Sequence, residues 1–425
     1  MSANDIKSNV IKLCTRMNIA TERVCDGVMT LNLPIILYIV DTKPNLTAST
    51  ICGVVFESES CPLIDDEFDW TVNIDSGPPK LIDADDSEEI INIIQITDIH
   101  YDPNYEPYGN ANCDEPTCCR RGQNDTNTNN KVAGYWGDYN YCDSPWHAVV
   151  DVLEQIRATH QNISYVYFTG DIVDHGVWET SFKGNIESIN KTYSQIYETF
   201  RNIPVYPIMG NHEAHPVNLF APKTVTSNEL NTQWLYNLMA DLWINFGWLP
   251  ESTRHTILQG GYYTLSPKKG FRIIALNSNV CYSANCNDNS TTINNVAWNG
   301  GSATAFSNLN PNYKLYIADS KNYAVKDIET WMYNLTLANE NAAQRPLWYK
   351  SYSFKEEYDI PDLSYDSLHN WLSRLARDDD LLSRYYRNFF KRAEASLKKE
   401  CDTKCMRAYM CRIITSLGDH RTHCS

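Results

Sequence analysis

Three short stretches place carboxylates, an amide and imidazoles directly after apolar runs: ITDIH at 96–100, TGDIVDH at 169–175 and MGNHEAH at 209–215. In the first, Asp98 and His100 are two residues apart. Side chains at i and i+2 of an extended segment point the same way, so this carboxylate and imidazole can grip one cation. The second stretch supplies Asp171 and, further on, His175; the third supplies Asn211 and His212. Taken singly, each is more often a turn than a ligand set, because Gly-Asp and Asn-containing pairs are ordinary turn chemistry. In series, each closing a run that reads as a buried strand, they point to metal-assisted hydrolysis of a phosphate ester. That reaction is among the slowest without a catalyst. Two divalent ions roughly 3.5–4 Å apart can polarise the phosphoryl oxygens and activate a water between them. Asp171 is the candidate carboxylate shared by both ions, Asp98 and His100 complete the shell of one, and Asn211 starts that of the other. His212 is placed to protonate the leaving alkoxide. His175 either assists it or has a structural role in its own loop.

The elements that must hold these groups are legible as alternating runs. IINIIQIT (90–97) is a continuous β-branched run, the pattern of a strand buried on both faces. YVYFTG (165–170), VYPIMG (205–210) and FRIIALN (271–277) read as further buried strands. DSPWHAVVDVLEQIRA opens a helix, with Asp143 and Ser144 as candidate N-caps and Pro145 in the first turn. Strands alternating with helices predict an α/β sheet with its active groups beyond the strand ends. Upstream, Leu13, Met17, Val24, Val28 and Leu31 recur at helical spacing, punctuated by Cys14, Cys25, Cys52 and Cys61. Residues 62–89 read as a linker rich in Asp, Pro and Gly, and from about 321 onward the pattern is long, charged and helical.

Composition narrows the classes. At 425 residues the chain is long enough for two or three domains. A net charge of -16 argues against nucleic acid as a partner. The 14 cysteines show no paired CxxC spacing of a structural zinc site. Six Asn-x-Ser/Thr sequons, at Asn45, Asn124, Asn162, Asn190, Asn289 and Asn334, accompany them. Cysteines and sequons together point to an oxidising, secretory compartment. The opening MSANDIKSNVIKLC lacks the apolar core and cleavage site of a signal peptide, so a truncated N-terminus is expected. The longest apolar run, LPIILYIV, falls well short of the roughly 20 residues a membrane span needs.

The order D-x-H, G-D, G-N-H resembles that of the calcineurin-like metallophosphoesterases, whose fold is a sandwich of two sheets flanked by helices. Longer segments are similar to the acid sphingomyelinase family: ITDIHYDPNYEPYGNANCDEPTCCRRG, AGYWGDYNYCDSPWHAV, FTGDIVDHGVW, GNHEAHPVNLFAP and SATAFSNLNPNYKLYIAD. The Cys-bearing C-terminal helices are similar to that family too, and residues 9–61 to the later part of a saposin-type domain. The resemblance implies cleavage of sphingomyelin to ceramide and phosphocholine with two zinc ions. The ligand types suit zinc without excluding manganese or iron. It further implies Asp98, His100, Asp171 and Asn211 as metal ligands, with His212 and His175 beside the phosphate. A membrane surface would be met through the saposin-like part, in a lysosomal or secreted setting. The implied disulfides are Cys14–Cys25, Cys113–Cys118, Cys119–Cys142, Cys401–Cys405 and Cys411–Cys424.

The domain organisation expected from this resemblance is a partial saposin B-type domain at 1–61 and a linker at 62–89. An incomplete metallophosphoesterase domain at 90–320 and a helical, disulfide-containing domain at 321–425 follow. One departure matters. The family requires three further histidines, one in a G-H segment and two in a G-H-x-H segment. Beyond His215 this sequence has only His255, His369, His420 and His423, none after a glycine. Between LNSNV and VAWNGGSAT, where those segments belong, only CYSANCNDNSTTINN remains. Little or no activity is therefore expected of this chain. A catalytically inactive relative that binds lipid or metal, or an incomplete gene product, stands as the alternative, with a nucleotide phosphodiesterase as the rival within the enzyme class.

Overall fold

The computed structural model describes residues 2–43, 46–50, 89–123, 131–280, 298–398 and 400–414. The segment 62–88 of the linker, Cys52, Cys61, Cys281, Cys286 and the Cys411–Cys424 pairing lie outside the residues whose side chains are described.

Three apolar runs form parallel strands: β1 (Ile90–Ile96), β2 (Ile163–Phe168) and β3 (Val205–Pro207). An antiparallel hairpin of β4 (Tyr263–Lys268) and β5 (Phe271–Ala275) stands apart from them. Then β6 (Asn312–Asp319), β7 (Val325–Met332) and β8 (Tyr349–Ser353) return to the main sheet, giving the order β3-β2-β1-β6-β7-β8. The sheet is parallel on the β1 to β3 side and antiparallel from β1 outward through β6. Helices Trp146–Thr159 and Phe182–Thr199 make the crossovers between the parallel strands. Their buried faces carry Val149, Val152, Leu153 and Ile156, and Ile189, Tyr193 and Ile196, onto Ile94, Ile96, Val166 and Phe168 in one core. Each such fully buried side chain contributes on the order of 1.5–3 kcal/mol.

The structure departs from the sequence expectation in three places. FRIIALN is not buried on both faces: β5 pairs only with β4, its pattern alternates, and Ile274 is 66% exposed. With one neighbour among the described residues, one face of the strand is open. The helical pattern read from 321 onward begins instead with β7 and β8, and the all-helical part starts at Phe354. There, helices Tyr365–Leu375 and Asp379–Phe389 bury Leu368, Trp371, Leu375, Leu381 and Leu382 in a second apolar cluster. Finally, Pro145 itself is the N-cap of helix Trp146–Thr159 and makes no side-chain cap, so Asp143 and Ser144 do not cap it.

At the N-terminus, helices Ala3–Arg16 and Glu22–Thr42 form a hairpin closed by Cys14–Cys25. The second is 21 residues long and, among the described residues, the one helix long and apolar enough to cross a membrane by length and composition. Thr30 and Asn32 break its apolar run without breaking the helix, so counting consecutive apolar residues missed it. Its N-terminal part docks onto the sheet-bearing body instead. Arg23 pairs with Glu115 and, at 2.7 Å, with Glu179, while Gly27 lies so close to the Trp178 carbonyl that a Cβ would meet it at 2.3 Å.

Candidate metal centre

Sheet register brings the three sequence stretches together. Ile96 pairs with Phe168 and Phe168 with Pro207, so the residues that follow β1, β2 and β3 leave the sheet side by side. The first two tips continue to hydrogen-bond: Asp98 N–H donates to the Gly170 carbonyl (3.1 Å), and His100 N–H to that of Asp171 (3.0 Å). The second and third meet through glycines. A Cβ on Gly170 would lie 2.1 Å from the Gly210 nitrogen, and one on Gly210 would lie 2.1 Å from Asp171 Oδ1. Only glycine permits that approach. Asp98, His100 and Asp171 have φ values of 51°, 39° and 62°, left-handed conformations that cost a non-glycine residue energy and cluster at functional sites.

The side chains converge. Ligand atoms of Asp98, His100 and Asp171 lie within 4.8 Å of one another, as do those of His100, His175 and His212. The ring of His100 is 4.1 Å from that of His175 and 4.7 Å from that of His212, centroid to centroid. Each imidazole is held by its Nδ1. His100 Nδ1 donates to the Val173 carbonyl (2.8 Å), His175 Nδ1 to Asp143 Oδ1 (2.7 Å), and His212 Nδ1 to the Asp174 carbonyl (3.2 Å). Carbonyl and carboxylate oxygens can only accept, so in each ring it is Nε2 that faces the cluster, that of His100 lying 3.7 Å from Asp98 Oδ1. Fixing the tautomer through the other ring nitrogen is how metal-binding histidines are ordinarily oriented. Asn211 donates its Nδ2 to Asn218 Oδ1 (2.8 Å), leaving its own Oδ1 available. His215, the last residue of MGNHEAH, turns away to Thr180 and Phe182.

Buried acids surround the cluster. Burial would lower the pKa of His100, but contact with Asp98 and the charges of Asp143 and Asp171 outweigh it and raise it to about 9. Burial, with His100 and His175 pushing the same way, drops His212 to about 3. Burial lifts Asp171, lifts Glu213 to about 7 with the Asp171 charge adding, and lifts Asp102 to about 8 against the pull of Arg120. That concentration of carboxylates is one a cation would relieve. Arg120 supplies one fixed positive charge behind the site, 3.1 Å from Asp102 and 3.3 Å from Asp174.

Of the six residues singled out in the sequence, the structure brings Asp98, His100, Asp171, His175 and His212 into these two groups, with Asn211 on the adjoining backbone. It adds four that the sequence reading missed. Asp143 grips both the ring and the backbone N–H of His175, each at 2.7 Å. Glu213 accepts from the Gly210 and Asp171 amides, Arg120 bridges from behind, and Phe306 stacks on His175 at 3.8 Å. Glu213 lay inside the quoted MGNHEAH stretch, and adjacency to the histidines was the available signal. Among the described residues no further histidine joins them: His255 bonds the Ser252 carbonyl and His369 stacks on Tyr365.

The calcineurin-like phosphoesterase family matches residues 91–316, more than half of the sequence. The chain belongs to that family. Residues 289–424 match the acid sphingomyelin phosphodiesterase C-terminal region. This phosphoesterase is 27% identical to the sphingomyelin phosphodiesterase of Bos taurus and 26% identical to that of Homo sapiens. Both comparisons cover 99% of this chain and 79% of the relative. It is 31% identical to the mouse protein named cyclic GMP-AMP phosphodiesterase SMPDL3A, over 51% of this chain and 45% of that one. The alignment with the bovine relative spans 505 positions against 425 residues here, so that relative carries stretches this phosphoesterase lacks.

Proposed function

We propose that this chain is a metal-dependent phosphodiesterase acting on sphingomyelin, releasing ceramide and phosphocholine. The observation that carries the reading is the convergence of the imidazoles of His100, His175 and His212 with Asp98 and Asp171 beyond the tips of adjacent parallel strands. The similarity to sphingomyelin phosphodiesterases along 99% of the chain supports the substrate.

The donor set fits a divalent ion, and we assign zinc, which takes imidazole and carboxylate ligands. Asp98, His100 and Asp171 would hold it, with Asn211 Oδ1 at the margin. Bound there, the ion supplies a Lewis acid for the phosphoryl oxygens and lowers the pKa of its water. His212, neutral in the free protein, offers Nε2 to the substrate side. An anionic phosphodiester beside it raises its pKa, so it can take up a proton and hand it to the leaving ceramide oxygen. Asp143 keeps His175 oriented beside it. Phe306 and the ring of His175 make a flat wall along one side.

The exposed apolar residues of the N-terminal hairpin, among them Leu13, Met17, Ile36, Ile39 and Val40, support contact with a lipid surface. Four disulfides among the described residues support a secreted or lysosomal setting. A second reading, a lipid- or metal-binding relative without turnover, is favoured by the lack of further histidines at the site among the described residues. Metal content per chain, with sphingomyelin turnover on the same sample, separates them. Bound zinc with turnover supports the enzyme. Bound zinc without turnover supports the inactive metal-binding relative, and no metal at all sinks the enzyme and leaves only a lipid-binding relative.

A further inference from the structure

Glu213 is wholly buried, and the chemistry proposed above does not use it. Its Oε2 accepts the Gly210 N–H at 2.5 Å and the Asp171 N–H at 3.2 Å, and its Oε1 accepts the Ile172 N–H. Those donors belong to two different loops, one after β2 and one after β3. In the reverse direction, Asp171 Oδ1 accepts the His212 N–H at 3.1 Å. Each loop therefore presents a carboxylate to the other's backbone amides, as the two side chains of a capping box do at a helix start. The Asn185 amide fixes the base of this arrangement by donating to the Glu213 and Ala214 carbonyls, each at 3.2 Å.

We infer that Glu213 is a positioning residue for the metal centre: its carboxylate locks the loop bearing Asp171 against the loop bearing Asn211 and His212. The inference rests on the metal-centre reading. Asp171 sits in a left-handed conformation, at a φ of 62°. Without the Glu213 carboxylate, the Gly210, Asp171 and Ile172 amides lose their common acceptor, and amides left unpaired away from water drive a loop to rearrange. Glutamine at 213 has the same shape, but its NH2 end faces N–H groups that need an acceptor. One loop must then let go, and the spacing between Asp171 and Asn211 changes.

The test uses cobalt in place of zinc, read by affinity and by the visible spectrum of the bound ion, on the full chain. Glu213→Gln is expected to weaken cobalt binding roughly 10–100-fold, the usual range for partners of metal ligands, and to change the spectrum. Glu213→Asp keeps the anion on a shorter stem and is expected to fall between Gln and wild type. Leu375→Ala, in the C-terminal cluster, is the control for plain destabilisation: a lower melting temperature with cobalt affinity and spectrum unchanged. Wild-type-like cobalt binding by Glu213→Gln overturns the assignment. So does a loss that Leu375→Ala reproduces at matched stability. If Glu213→Gln does not fold, Glu213→Asp decides, and an unchanged affinity and spectrum there overturns it. A wild-type chain that takes up no cobalt overturns the metal-centre reading and this assignment with it, an outcome distinct from the others.

Discussion

Lys314 is a lysine in the wrong solvent. It sits on β6 with 8% of its surface exposed, its amine donates to Thr330 Oγ1 at 2.5 Å, and it lies 5.5 Å from the Tyr352 ring. Burial lowers its pKa from 10.5 to about 8. Lys391 is lowered to about 8 by burial and then by the charge of Lys314. Glu357, an acid in this region, already pairs with Arg392 at 3.1 Å. The folded-state pKa lies below the unfolded one, so between the two the unfolded chain binds more protons and stability rises with pH. The penalty is complete below about pH 8 and fades as pH rises towards 10.5. At about 1.4 kcal/mol per pH unit it amounts to roughly 3 kcal/mol. Lys314→Met keeps the apolar stem and removes the charge. It is expected to stabilise the protein by about 3 kcal/mol at pH 6 and by about 1 kcal/mol at pH 10. Denaturant unfolding at both values measures this. An equal gain at the two pH values would mean that packing, not charge, is responsible, and a loss at pH 6 would refute the reasoning outright.

Gly210→Ala forces a Cβ to 2.1 Å from Asp171 Oδ1, so cobalt uptake should be lost and the melting temperature should fall, whereas Gly270→Ala, with open space around it, should leave cobalt uptake intact. Replacing both Cys119 and Cys142 with Ser opens a loop of 23 residues and is expected to cost about 3 kcal/mol, seen as a shift in the denaturation midpoint. Arg23→Ala removes two pairs from a half-exposed side chain and should cost no more than about 1 kcal/mol. Gly27→Val, which collides with the Trp178 carbonyl, should release the N-terminal hairpin, read as faster hydrogen exchange there. Zinc at about 100 times its dissociation constant should raise stability by roughly 2.7 kcal/mol, and Asp171→Ala should abolish that gain.

The polar tips of β1, β2 and β3 were legible because each follows a β-branched or aromatic run and carries carboxylates, an amide or imidazoles in close spacing. The three parallel strands and the helix Trp146–Thr159 were legible for the same reason of period and composition, whereas Phe182–Thr199 was not read. What remained hidden was set at long range. Asp143 sits before a proline and a helix, where local chemistry reads as a cap, yet its partner is His175, distant in sequence. β7 reads VKDIETWM, charged and unlike a strand core, but Ile328, Thr330 and Met332 alternate inward. An antiparallel strand with one wet face has that pattern, and the surrounding charges pulled the reading towards helix. β5 differs in the opposite direction, because an apolar run does not reveal how many neighbours it will find.

The cost concentrated at the strand tips supports the same conclusion as the ligand types. Asp98, His100 and Asp171 each hold a left-handed backbone, and such positions cost on the order of 1–3 kcal/mol apiece. Burial raises the pKa of Asp102, Asp171, Asp174 and Glu213 within the same small volume. Arg120 offsets part of that charge from behind, where it contacts Asp102, Asp174 and Glu179. Folding alone gives no reason to gather strain, carboxylates and three imidazoles at one point. A bound cation would give a reason for all three: it would take His100 as a ligand next to His175 and His212, offset the carboxylates, and need the backbone turned so that Asp98 and His100 face it together.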